Sequence, residues 1–199
     1  MFGYATVVRG KSNRGLYLRL GGWLLFLAIF LFLYASRPNF FEGQLQTAAS
    51  ESVLVAYALY LLLGSVRGFT LIPSATLVFA AIPLFPPLPL FVLTLLGILV
   101  SSASVYYFSE SLHLDEYFAK RNREGVERMK RTFHTNQLLI IIGWSFFPLA
   151  PTDLICYVCG ILKVSFSKFL LGILIGEGTI CGIYIFLGDK LLRFIHLRA

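Results

Sequence analysis

Long apolar segments alternate with short charged ones along the chain, and their lengths predict helices in a membrane. Residues 68 to 109 form a run of 42 residues without a charged side chain, far more than the roughly 18 that indicate one membrane-spanning helix. As one straight helix this run would be about 63 Å long, roughly twice the hydrocarbon thickness of a bilayer. The run must therefore fold back on itself.

Glycines and prolines divide this region into a broken hairpin and a full span. Breaks that include Gly68 and Pro73 leave helical pieces of about ten to fourteen residues within 52 to 87, too short to cross a bilayer. Residues 88 to 108, in contrast, are long enough to cross. The first unit is therefore predicted to be a re-entrant hairpin followed by a transmembrane helix.

The same order returns downstream. Residues 137 to 163 form an apolar stretch that is broken at Pro148 and Pro151, and residues 166 to 187 form a second full span. An offset of 78 residues places Pro73 on Pro151 and superposes the two layouts, which indicates an internal repeat.

Charge decides how the two units are oriented. The segment 109 to 136 carries six lysines and arginines between residues 120 and 131, so we expect it to lie in the cytoplasm. The N-terminal unit, 1 to 49, contains an uncharged stretch at 20 to 36, which predicts an uncleaved helix entering from the cytoplasm, and residues 191 to 199 form a tail. The hairpins then enter from opposite sides. The predicted fold is an all-α integral membrane protein: an inverted repeat of a re-entrant helical hairpin plus a transmembrane helix, with an extra N-terminal transmembrane helix.

Composition supports this class and excludes others. The chain is 57% hydrophobic and 14% charged, where soluble domains have roughly 25% charged residues. The net charge is +7, but the basic residues lie at segment ends, which favours anionic lipid head groups over nucleic acid as partners. A water-soluble globular protein is excluded.

Three ionisable residues lie deep in apolar sequence: Arg67, Asp153 and Glu177. Each would cost at least ~2.5 kcal/mol at the bilayer centre unless paired or hydrated. The functional interpretation pairs Arg67 with Asp153 across the two hairpins, so that a proton or a phosphate would release one partner from the other. The structural interpretation makes Asp153 a first-turn helix acid and Arg67 a residue that reaches the head groups.

Ser74 and Thr152 each follow a proline and precede an apolar helical stretch, so each is predicted to cap a helix N-terminus. Helix N-termini attract anions. Two capped N-termini that meet near Arg67 would suit the phosphate of a phospholipid or a polyprenyl phosphate. Arg67, Ser74, Thr152, Asp153 and Glu177 are therefore the candidate substrate- or ion-binding residues.

Small residues predict where the two spans touch. The second span carries two GxxxG patterns, which allow a neighbouring helix to approach closely, and the first span carries one glycine. We expect these glycines to pack the two spans on each other: Gly97, Gly172, Gly176, Gly178 and Gly182.

No catalytic signature is present. The three histidines are isolated, the three cysteines lie in apolar stretches, and no metal-binding or nucleophile motif occurs. We expect no catalytic residue, metal or cofactor. Three functions stay open: movement of anionic lipids, proton- or cation-coupled transport of a small solute, and a membrane scaffold that transports nothing.

Two stretches carry a resemblance to a known family. Residues 66–77 read Val-Arg-Gly-Phe-Thr-Leu-Ile-Pro-Ser-Ala-Thr-Leu, and residues 147–160 read Phe-Pro-Leu-Ala-Pro-Thr-Asp-Leu-Ile-Cys-Tyr-Val-Cys-Gly. They resemble the DedA/VTT-domain family, also called SNARE-associated Golgi proteins, over about residues 50 to 190.

The resemblance implies two opposed re-entrant hairpins and the movement of lipids between leaflets, by scrambling phospholipids or flipping undecaprenyl phosphate. It also implies coupling to protons or cations in bacterial members, and we expect a multi-pass protein of the bacterial inner membrane. This chain departs from the bacterial DedA pattern, which has an acid in the first hairpin and arginines around the second. Here Arg67 lies in the first and Asp153 in the second, so the lipid and the coupling ion stay open.

Overall fold

A computed structural model gives the fold of the chain. It describes residues 18, 21–25, 27–29, 32, 36, 40–70, 73–112, 123–147 and 152–196. The predicted first span, 20 to 36, is described only at single positions and short stretches, all of them helical. Pro148 and Pro151, the predicted turns of the second hairpin, lie outside the described residues.

The described residues form helices and no strand, so the predicted all-α class is confirmed. In chain order the elements are α1 (Phe40–Glu51), α2 (Val53–Val66), a 3-10 turn (Arg67–Phe69), α3 (Ser74–Ala81), α4 (Pro87–Ser111), α5 (Arg123–Ser145), α6 (Thr152–Ile161) and α7 (Phe166–His196).

Helices α4 and α7 are long and apolar enough to cross a membrane. With 25 residues, α4 is about 37 Å long and exceeds the ~30 Å hydrocarbon core. It begins at consecutive prolines because proline fits the first turn of a helix, where its missing N–H has no intrahelical partner. Large apolar side chains lie exposed along both helices, as expected for surfaces that face lipid: Leu96, Val100, Leu171, Ile175, Ile183 and Leu187.

The regions predicted to be hairpins consist of short helices. The first contains α2, of 14 residues, and α3, of eight. The second contains the last part of α5 and the ten-residue α6. None of these apolar pieces reaches the ~20 residues that a spanning helix needs.

Helix α5 joins the charged linker to the region predicted to form the second hairpin. Its backbone is helical from Arg123 to Ser145 except at Asn136, where φ is −137° and ψ is 40°. Glu124 and Arg131 are exposed in the part before this break, and Ile141 is fully buried in the part after it. The break therefore falls where the sequence changes from charged to apolar.

Within the first unit, α2 and α4 run in the same direction. The Tyr60 and Thr94 hydroxyls are 2.7 Å apart, and the Gly68 N–H donates to Ser101 Oγ at 3.0 Å. The residue numbers rise together along both helices. The two helices are therefore parallel.

Helices α5 and α7 also contact each other. A Cβ added at Gly172 would lie 2.7 Å from Ile141 Cγ2, and one added at Gly176 would lie 2.5 Å from Ser145 Cβ. Along this contact the residue numbers of α5 and α7 rise together. The end of α5 and the start of α7 are therefore parallel.

The two long helices run in opposite directions. A Cβ added at Gly178 would lie 3.0 Å from Leu95 Cδ2, and one added at Gly182 would lie 3.2 Å from Phe91 Cε2. Along this contact α4 numbers fall as α7 numbers rise. The predicted glycine contact between the spans is thus present for Gly178 and Gly182, whereas Gly172 and Gly176 pack on α5.

The prediction for Gly97 was wrong. This glycine faces Gly64 of α2, because a Cβ added at Gly97 would lie 3.4 Å from the Gly64 Cα. Two glycines face each other here, so the α2 and α4 backbones approach closely. A small residue in the sequence indicates that another helix packs closely there, but it does not identify that helix.

Each short helix packs on the long helix of the other unit, α3 on α7 and α6 on α4. The Phe79 and Tyr184 rings are 5.1 Å apart at the first contact. At the second contact Gly160 lies against Tyr106 and Ser109. These contacts tie the two units together, and the first residues of α3 and α6 line one cavity.

Candidate functional site

Arg67 is the first residue of the 3-10 turn that follows α2, and its side chain lies in the interior. Arg67 as a whole is 5% exposed. The next residue must be small, because a Cβ added at Gly68 would overlap Ser101 Oγ and lie 2.8 Å from Val105 Cγ2. The predicted turn glycine is therefore also the residue that lets the turn pack against α4.

Two carboxylates hold the Arg67 guanidinium. Its Nη2 donates to Glu177 Oε1, and its Nη1 lies 3.8 Å from Asp153 Oδ2. The three side chains are between 2% and 4% exposed. One formal positive charge thus lies between two formal negative charges in an apolar interior. We call Arg67, Asp153 and Glu177 the ion cluster.

The ion cluster joins three elements that are far apart in sequence. Arg67 comes from the 3-10 turn that follows α2, Asp153 from the first turn of α6, and Glu177 from the middle of α7. The sequence suggested Asp153 as the partner of Arg67, and the structure places both acids within ion-pair distance, with Glu177 making the hydrogen bond.

Helices α3 and α6 both begin beside the ion cluster. Thr152 is the first residue of α6 and is 7% exposed. Ser74 is the first residue of α3, but its predicted role as the N-cap was wrong: Pro73 holds that position, with φ −57° and ψ 136°, and no side-chain cap bond forms. The Pro73 carbonyl instead accepts from the Thr76 N–H at 3.1 Å. The extended backbone of proline starts the helix without a capping side chain.

A small cavity lies where the two helices begin. Its volume of ≈ 20 Å³ is enough for one water molecule. Both helix starts and one member of the ion cluster line it, together with the end of α5 and the following loop. The lining residues are Pro73, Ser74, Ala75, Ser145, Phe147, Thr152, Glu177, Ile180 and Tyr184.

Several buried polar atoms at the site have no hydrogen-bond partner among the described residues. They are Arg67 Nη1, Asp153 Oδ2, Glu177 Oε2 and Ser145 Oγ. Donors and acceptors are both represented, so the site can accept a group that offers either. Ser145 was not predicted from sequence, because a serine at the end of an apolar stretch gives no distinctive signal.

The described residues show no metal or disulfide site. The cysteines Cys156, Cys159 and Cys181 are buried and free. In the described part of the chain, no three His, Cys, Asp or Glu side chains are grouped as a metal site would require.

Comparison with known proteins identifies the family. The model of the VTT domain matches residues 72–190, a range that holds Ser74, Thr152, Asp153 and Glu177 and begins five residues after Arg67. No curated protein and no solved structure matches the chain. Because the matched domain covers more than half of the chain and includes α4 and most of α7, the chain belongs to the VTT-domain family of membrane proteins, the DedA or SNARE-associated Golgi family.

Proposed function

We propose that the chain is a multi-pass protein of the bacterial inner membrane that moves anionic lipids between leaflets, carrying the phosphate of a phospholipid or a polyprenyl phosphate. The observation that carries this proposal is the buried guanidinium of Arg67, held between two carboxylates where two short helices begin. A guanidinium binds phosphate through paired hydrogen bonds. Helix N-termini add unpaired N–H groups that favour an anion.

The directions of the helices support two re-entrant hairpins in an inverted repeat. Helices α2 and α4 are parallel, the end of α5 is parallel to α7, and α4 is antiparallel to α7. In each unit, the first helix of the hairpin is parallel to the long helix that follows, and the two long helices are antiparallel. This arrangement is expected if the hairpins enter from opposite leaflets. In many transporters such broken helices form a polar site near the bilayer midplane.

The site would act by exchange of ion-pair partners. A lipid phosphate that reached Arg67 would replace the carboxylate of Glu177 or Asp153, so the guanidinium would keep a counter-charge throughout. This matters because an unpaired charge in an apolar interior is far more costly than a paired one. Ser74 and Thr152 would contact the headgroup at the helix starts.

The surplus carboxylate favours a second candidate. With all three groups ionised, the ion cluster carries a formal charge of −1, which a proton or a small cation would balance. A proton- or cation-coupled transporter of a small solute would use the same site.

Leaflet exchange in liposomes tests the proposal. We expect the purified chain to speed the exchange of labelled phosphatidylglycerol and polyprenyl phosphate, and to act less on zwitterionic phosphatidylcholine. Exchange no faster than in empty vesicles would contradict it. If the chain took up solute under a pH gradient, lost that uptake with Asp153→Asn, and exchanged lipid no faster than empty vesicles, the second candidate would replace the first.

A further inference from the structure

The Glu177 carboxylate lies where the proposed function requires a phosphate. One of its oxygens accepts from Arg67 Nη2, and the residue lines the cavity where Ser74 and Thr152 begin their helices. Its second oxygen, Oε2, is buried and has no hydrogen-bond partner among the described residues. Glu177 is thus an anion that already faces the donors of the site.

A phosphate needs the same donors as this carboxylate. Both groups are oxyanions that bind guanidinium forks and helix N-termini. The ion cluster contains one arginine, which two carboxylates already share, and a phosphate would bring a third anion to it in an apolar interior, where like charges repel each other strongly. The carboxylate and the phosphate therefore compete for Arg67.

Ser145 adds a further hydrogen-bond donor to the cavity that Glu177 lines. It is 3% exposed, lines the cavity, and has no partner for its hydroxyl among the described residues. It lies directly against Gly176, the neighbour of Glu177, where a Cβ would meet its Oγ at 3.4 Å. A hydroxyl in this position can donate to an oxyanion that takes the place of the carboxylate.

We propose that Glu177 is a resident competitor of the lipid phosphate, with Ser145 as an additional headgroup contact. The phosphate displaces Glu177 from Arg67 on entry, and the carboxylate returns to Arg67 to release the phosphate. This inference rests on the proposed function and explains how the site releases its substrate. A residue that competes with the substrate weakens binding and speeds release.

The competitor is tested by measuring binding and leaflet exchange on the same variants. For the full-length purified chain, we expect Glu177→Gln to bind short-chain phosphatidic acid at least about tenfold more tightly, equivalent to ~1.4 kcal/mol, by titration calorimetry. Exchange of labelled phosphatidylglycerol should slow, because no carboxylate reclaims Arg67. Ser145→Ala should weaken binding. Asp189→Asn on the same helix, whose carboxylate pairs with Arg193 at 2.9 Å and lies outside the site, should match the wild type in both assays.

Glu177→Asp keeps the test valid if the glutamine variant does not fold. The aspartate is one methylene shorter and holds Arg67 less closely, so we expect tighter phosphatidic acid binding with a smaller change. Unchanged or weaker binding in the folded variants, while the wild type still exchanges lipid, would overturn the competitor alone. A wild-type chain that neither binds nor exchanges anionic lipid would overturn the proposed function itself.

Discussion

Arg67→Ala is expected to abolish lipid exchange and to destabilise the fold by about 3–5 kcal/mol, because it leaves buried carboxylates without their counter-charge. Asp153 and Glu177 are each 2% exposed and both face the guanidinium. Thermal unfolding in detergent and leaflet exchange in liposomes measure the two effects. Arg193→Ala is the matched control, since the Arg193 side chain is 70% exposed and its loss should have little effect on either.

A combined variant separates the loss of stability from the loss of function. Removing all three charges with Arg67→Ala, Asp153→Asn and Glu177→Gln should recover much of the stability, because replacing a whole buried ion cluster costs far less than removing one member. Lipid exchange should stay absent, since no guanidinium binds the phosphate. Recovery of exchange in the triple variant would contradict the role given to Arg67.

Gly160→Ala is expected to destabilise the chain by about 3 kcal/mol, the upper range for inserting a methyl group into a packed core. A Cβ at Gly160 would overlap Ser109 Oγ and the Tyr106 carbonyl oxygen of α4. A backbone carbonyl within a long helix cannot move aside cheaply. The α6 helix would then shift on α4 and carry Asp153 away from Arg67.

Gly143→Ala is the matched control for this glycine. It lies on helix α5, and a Cβ there would meet nothing within 4 Å. Alanine should raise stability slightly, because glycine is about 1 kcal/mol less favourable than alanine in a helix. If thermal unfolding gave equal midpoints for the two variants, the close contact of α6 with α4 would be wrong.

The spanning helices could be predicted because hydropathy over a long window depends on composition alone. The predicted span 88 to 108 is α4, Pro87–Ser111, and the second predicted span begins at the same residue as α7. Helix α7 continues to His196, past the predicted end at 187. The ion pair between Asp189 and Arg193, one turn apart, supports this charged extension, which a search for apolar residues misses.

The members of the ion cluster could be found from sequence because charged residues are rare in apolar segments. Which acid makes the hydrogen bond to Arg67 could not be found, since it depends on how α7 is rotated about its axis. Gly97 shows the same limit: its spacing indicates a close helix contact, and only the packing identifies Gly64 as its partner. Ser145 could not be identified from the sequence, because only the packing of α5 on α7 places it at the cavity beside Glu177.

Thiol cross-linking between Ser74→Cys and Thr152→Cys tests most directly that both short helices begin at one shared site. The variant would carry alanine in place of the three native cysteines and be treated in membranes with the shortest bifunctional thiol reagents. Because both positions line the same cavity, we expect mass spectrometry to find the two peptides linked, and no link in the control pair Ser74→Cys with Ser165→Cys, where Ser165 precedes α7. A linked control pair together with an unlinked test pair would show that the two helix starts do not meet.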